Sequence, residues 1–147
     1  MVISERASKL SLPQTNLGVD TVLEYLIVKF PYVDAQIWQQ RIADGKVHQH
    51  DGTLITTQSP FKAQQRIYYY REVENEVSIP FKETVVFQDQ HILVADKPHF
   101  LPVTPSGTYL QETVLVRLIR RLGIETLSPL HRIDRETAGV VLFSCRP

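Results

Sequence analysis

Leu130-His131-Arg132-Ile133-Asp134-Arg135-Glu136-Thr137-Ala138-Gly139-Val140-Val141-Leu142-Phe143 joins a polar knot to an apolar run. His131, Arg132, Asp134, Arg135 and Glu136 place five ionisable side chains within six positions. Val140 to Phe143 is unbroken apolar, and a run that short reads as a strand buried on both faces. Charged groups held at the edge of a buried strand are fixed by a rigid support, which chemistry needs and solubility does not. An unperturbed carboxylate is ionised at neutral pH, and flanking guanidiniums keep it so. Asp134, between Arg132 and Arg135, therefore suits a nucleophile or a charge stabiliser and makes a poor neutral acid. The alternative is that Asp134 only pairs with an arginine and shapes the turn before the strand.

Outward from that stretch, the chain bounds its own class. Its 147 residues are 43% apolar, enough for a core, and carry a formal net charge of zero. No global field draws in nucleic acid or an anionic membrane, so any basic surface must be local. A single cysteine, Cys145, excludes an internal disulfide and a cysteine-built zinc site, and fits a reducing compartment. No run approaches the length of a membrane span, and the N-terminus lacks a signal-peptide layout. A soluble cytoplasmic protein is expected.

Residues 1–17 read as a flexible tail, with serine, proline, glutamine and asparagine between single apolar residues. Asp20 or Thr21 can cap a helix, with Glu24 completing a capping box; Val22, Leu23, Leu26, Ile27 and Phe30 follow at helical spacing. Asp34 can cap a second helix bearing Ile37, Trp38, Arg41 and Ile42, ended by Gly45. Lys46 to Ile55 reads as a hairpin about Asp51-Gly52. Ile67-Tyr68-Tyr69-Tyr70 reads as an edge strand. An acidic stretch, Glu72, Glu74 and Glu76 before Pro80, marks a linker region.

Beyond it, Thr84–Phe87 and Ile92–Ala95 read as strands. Leu101-Pro102-Val103-Thr104-Pro105-Ser106-Gly107 is too proline-rich for a central strand and reads as an extended loop. Thr108 and Gln111 form a possible capping box. Val114, Leu115, Leu118, Ile119 and Leu122 give a helix one apolar face, with Arg117, Arg120 and Arg121 off it.

Two resemblances follow from these residues. The helix-helix-hairpin of residues 18–78 resembles the αL-type RNA-binding module, whose basic residues near the second helix face RNA; the matching positions are Arg41 and Lys46. The stretch from His131 to Ser144 resembles the aspartate motif of the RluA-type pseudouridine synthases. Ile92 to Pro98, Leu101-Pro102-Val103 and Pro105-Ser106-Gly107 resemble that family's upstream motif, in the same order. The resemblance implies an α+β fold: the module, a linker at 79–84, and from 85 to 147 the first part of a mixed, mainly antiparallel sheet domain.

It also implies a reaction, the conversion of uridine in ribosomal or transfer RNA to pseudouridine, with no cofactor and no metal. Asp134 is the implied catalytic group. Arg132 is implied to stabilise the flipped-out state, His131 and Arg135 to shape the loop or touch phosphate, and Lys97 to hold RNA or the loop. Phe100 departs from the family pattern, which has glycine there. The family's catalytic domain also runs well beyond its aspartate, to a tyrosine and a basic residue absent from these 147 residues. An isolated 1–147 is therefore expected to be inactive or nearly so, with an open sheet edge that invites self-association. The competing expectations are a non-catalytic RNA-binding fragment using the module and the Arg117, Arg120, Arg121 face, and an aspartate-dependent hydrolase releasing free base.

Overall fold

Two threonines start two of the three helices in the computed structural model, which describes residues 1–147. In chain order the elements are β1 (Val2–Ile3), β2 (Ser8–Ser11), α1 (Val22–Lys29), α2 (Ala35–Ala43), β3 (Val47–Gln49), β4 (Arg66–Tyr69), β5 (Glu72–Val73), β6 (Thr84–Gln88), β7 (Ile92–Lys97), α3 (Val114–Leu122), β8 (Ser128–Pro129) and β9 (Gly139–Ser144). The fold is α+β, and every strand pairing is antiparallel. The chain divides into two compact units, Arg6–Tyr70 and Met1–Glu5 with Arg71–Pro147.

In the smaller unit, Thr21 Oγ1 accepts from Glu24 N–H at 3.1 Å while the Glu24 carboxylate accepts from Asp20 N–H at 2.7 Å. That reciprocal pair satisfies donors a helix start leaves open. Asp34 caps α2 through Gln36 N–H at 2.8 Å. The inner faces of both helices meet Val47 and Ile67 in one core, and Phe30, Trp38 and Tyr69 close it with ring centroids 5.3–5.7 Å apart. The expected hairpin turn forms: Asp51 Oδ1 accepts from Thr53 N–H at 2.9 Å, and Gly52 takes φ +88°. Only β3 pairs further, against β4.

Residues 1–17, expected as a tail, are a correction. β2 pairs with β4, and β1 pairs with β5 in the other unit. These strands are short and their partners remote in sequence, so no local period announces them. β4 is consequently the central strand of a sheet ordered β2-β4-β3, not an edge strand. Along it Ile67 and Tyr69 point to the core, and Tyr68 and Tyr70 point the other way.

The larger unit carries a four-stranded sheet in the order β6-β7-β9-β8. Leu93, Ala95, Val141 and Phe143 face inward and join Leu115 and Leu118 of α3. The apolar run of β9 suggests burial on both faces; it is buried on one, with Val140 52% exposed. An antiparallel sheet needs only one covered face, and α3 covers that one. The cap of α3 is Thr113, whose Oγ1 accepts from Val116 N–H at 3.1 Å, rather than Thr108. Glu76 explains the displacement: its carboxylate accepts from the N–H groups of Leu110, Gln111 and Glu112 at 2.5, 2.8 and 2.9 Å. Gly123 ends α3 in the left-handed conformation. The stretch expected as a linker is built in, since Ile79 and Glu83 are both buried.

Candidate active site

The segment between β8 and β9 has no regular structure, so its shape depends on side chains that tie down its backbone. Leu130 N–H donates to the Leu142 carbonyl at 2.9 Å, and His131 Nε2 accepts from Leu142 N–H at 3.1 Å. Those two bonds stitch the start of the loop to β9. Thr137 N–H closes a turn onto the Asp134 carbonyl at 3.0 Å. His99 Nδ1 donates to the Glu136 carbonyl at 2.7 Å. Ile133 turns inward against the core.

Lys97 supplies the deepest tie. It ends β7, its side chain is fully buried, and Nζ donates to the carbonyls of Pro98, Leu101 and Arg135 at 3.1, 2.8 and 2.9 Å. One ammonium thus spends its three donors on three backbone carbonyls from two loops. Burial pushes it below the usual lysine range; Glu136 pulls it back, Arg135 pushes it further down, and Asp134 pulls it back. Of its two expected tasks, holding RNA or holding the loop, the geometry leaves the second. A fully buried ammonium has no surface to offer a phosphate.

The two loops so joined form the walls of a cleft of about 330 Å³. Pro102, Val103, Thr104 and Ser106 line one side; Arg132, Ile133, Asp134 and Arg135 line the other. Asp134 and Arg132 are exposed, and the Asp134 carboxylate takes part in none of the hydrogen bonds that hold the loop. Arg135 is half-buried, with its guanidinium 5.8 Å from the Phe100 ring centroid and 5.5 Å from that of Tyr109, and paired to Glu136 at 3.0 Å. Phe100 itself sits at φ +69°, in the left-handed region. The backbone there suits glycine, and the aromatic side chain is held by its contact with Arg135.

His131, Arg132, Asp134 and Arg135 are therefore brought together with Lys97 beneath them. Arg41 and Lys46 lie in the other unit. Arg41, expected to face RNA, is only 8% exposed and its guanidinium lies 4.8 Å over the Trp38 ring, so it belongs to the core. Lys46 is half-buried and pairs with Asp44 at 3.5 Å. The α3 arginines are also engaged. Arg117 donates to the Ile79 and Phe81 carbonyls and pairs with Glu83 and Glu112; Arg120 pairs with Glu5, and Arg121 with Glu83. Thr104 and Tyr109 carry no motif that singles them out from sequence as site residues, and Ser106 stands in the Pro105-Ser106-Gly107 match without being singled out by it. The proline-rich loop that holds Thr104 and Ser106 gives a further signal, since irregular loops on rigid supports often carry sites.

A sheet-borne loop thus presents Asp134 to a cleft lined on both sides by polar groups. Residues 91–147 match the family model for RNA pseudouridylate synthase. An RNA pseudouridine synthase of Synechocystis is 32% identical over 122 residues, covering 83% of this chain and 42% of that protein. The mitochondrial tRNA pseudouridine(32) synthase of Saccharomyces cerevisiae is 29% identical over 86% of this chain and 27% of its own length. RNA pseudouridine synthase 5 of Arabidopsis thaliana is 26% identical over 92% of this chain and 40% of its own length. The chain belongs to the RNA pseudouridine synthase family, of the RluA type. It spans well under half the length of these relatives.

Proposed function

We propose that the protein isomerises uridine to pseudouridine in RNA, with Asp134 as the essential group. One observation carries this reading: the Asp134 carboxylate lies in a cleft, beside Arg132 and Arg135, on a loop pinned by Lys97, His99 and His131. The reaction breaks the bond from the sugar carbon to N1 of the base and forms one from that carbon to C5. C5 loses its proton and N1 regains one, so substrate and product are isomers and no electron carrier is consumed. An exposed carboxylate on a pinned loop, in a cleft that two arginines also line, suits attack on, or charge stabilisation of, the reacting sugar or base. The target base must leave its stack to reach the cleft, and Arg132, exposed at its wall, suits the space vacated. His131 acts through the loop it stitches, and Arg135 through its place between two rings.

Transfer RNA and ribosomal RNA are both retained as substrates; two of the yeast relatives carry transfer RNA in their names. No helix is long and apolar enough to cross a membrane, and the single cysteine supports a reducing, cytoplasmic setting. The competing reading, a binding fragment acting through the α3 arginines, is disfavoured because each of those arginines has a carboxylate partner.

The test uses RNA labelled with tritium at C5 of uridine, incubated with the full gene product. Label should pass to water with wild type, and Asp134→Asn should lower the rate at least about 100-fold. Undiminished release by Asp134→Asn, or free uracil as product, would overturn the assignment.

A further inference from the structure

Phe100 is an apolar residue that the core does not hold. Its backbone sits at φ +69°, a region that a bulky side chain enters at a cost, and its ring is 45% exposed. Leu101, next in sequence, is fully buried in the core of the larger unit, and Phe100 takes no part in that cluster. The ring is nonetheless fixed by three neighbours. The Phe81 and His99 ring centroids lie 6.1 and 6.0 Å away, tilted by 38° and 46°, so neither lies flat on it. The Arg135 guanidinium is 5.8 Å from its centroid, farther than the ~4 Å of flat contact, and Arg135 Nη1 donates to the Phe100 carbonyl at 3.5 Å. His99 is tied in turn to the Glu136 carbonyl. Phe81 is itself 47% exposed.

Arg135 gives the ring its location. It lines the cleft that presents Asp134 and also approaches Phe100, so the ring stands at the margin of that cleft. All of these residues belong to one unit. A uridine that leaves its stack to enter the cleft deprives the bases on either side of a stacking partner. The strand running on from the cleft carries one of those bases past its margin. A fixed ring there restores the surface that the departed uridine withdrew, and every base has a π-face to set on it. Stacking strength grows with the area of the base, so such a ring favours a purine. Glu136, on the same loop, is paired with Arg135 at 3.0 Å, which offsets its charge against the passing phosphates. Two half-open rings make too small an apolar face for a protein partner, whose interfaces cover roughly 800 Å² on each side.

We propose that Phe100 determines specificity: its ring stacks on the base next to the target uridine and makes the enzyme favour a purine there. The inference rests on the isomerase reading of Asp134. It accounts for an exposed aromatic side chain at a position whose backbone suits glycine.

The test maps the uridine that the full gene product modifies in a mixture of unmodified transfer and ribosomal RNA transcripts, then varies the base on each side of it. The readout is kcat/KM for tritium released from C5. Wild type should favour a purine over a pyrimidine on one side by about 5-fold or more. Phe100→Gly and Phe100→Leu should lower kcat/KM on the purine transcript about 5- to 100-fold and bring purine and pyrimidine transcripts within about 2-fold of each other. Phe100→Tyr, which keeps the ring, should stay within about 2-fold of wild type. The urea midpoint of Phe100→Gly should not fall, because the backbone there suits glycine. A role in packing alone would lower that midpoint and leave the purine preference intact. Release by wild type that Phe100→Gly leaves undiminished, or an equal loss on purine and pyrimidine transcripts, would overturn this inference and leave the isomerase assignment standing. Absence of release by wild type would overturn that assignment, and this inference with it.

Discussion

Lys97 and Asp134 carry opposite charges in one small region and have opposite dependences on the fold. Asp134 is exposed and contributes no side-chain bond to its loop, so Asp134→Asn should leave stability within about 0.5 kcal/mol. Lys97→Met removes the shared donor of three carbonyls, that of Leu101 buried and those of Pro98 and Arg135 part-buried. Loss of roughly 2–4 kcal/mol is expected, read as a lower urea midpoint. Its pH dependence has a definite sign. The folded ammonium titrates below its unfolded value of 10.5, so the cost of charging it is carried at low pH and relieved as pH rises toward 10.5. Wild type should therefore gain stability relative to Lys97→Met across that alkaline window. Residue identity makes Asp134 legible, because its neighbours in sequence are also its neighbours in the cleft. For Lys97 and Arg41 it misleads. Both are cations whose type suggests a surface; Lys97 is drawn inward by the remote Arg135 carbonyl, and Arg41 by the Trp38 ring one turn before it on α2.

At the scale of the element, α3 shows how each arginine of a helix can be engaged by a carboxylate of the same unit. Arg117 reaches from the helix to the Ile79 and Phe81 carbonyls and to Glu83, which is 5% exposed. Arg117→Ala leaves Glu83 to Arg121 alone and two carbonyls without this donor. It should cost about 2–3 kcal/mol in chemical unfolding while leaving the salt dependence of RNA binding unchanged. A flatter salt dependence in that variant would restore the helix as an RNA face. The apolar spacing of α3 is readable because Leu115 and Leu118 meet one core through one stripe. Its cap is not, because Glu76 takes the preceding N–H groups from a distance along the chain that no local motif spans. The position of β9 is legible as a strand, but an apolar run alone does not state how many layers cover it.

At the scale of the molecule, the chain divides into two units whose order along the chain is not simple succession. Residues 6–70 are inserted between β1 and β5, which pair with each other in the larger unit. Ser4 N–H donates to the Arg71 carbonyl at 2.9 Å, and Arg71 N–H donates to Ser4 Oγ at 3.0 Å, so the chain departs and returns through one clasp. No periodicity could announce this, since a two-residue strand has none. Replacing Arg6–Tyr70 with a short glycine-rich link should keep the sheet of β6 to β9 folded, judged by cooperative urea unfolding. Loss of cooperative unfolding would show that the larger unit needs the insert to fold.

That clasp also has a meaning on the time scale of genomes. A segment whose two ends meet is a cassette, gained, lost or exchanged by one in-frame event that moves no residue of the aspartate loop. The residues of Arg6–Tyr70 and those of the aspartate loop can then drift at separate rates within one gene.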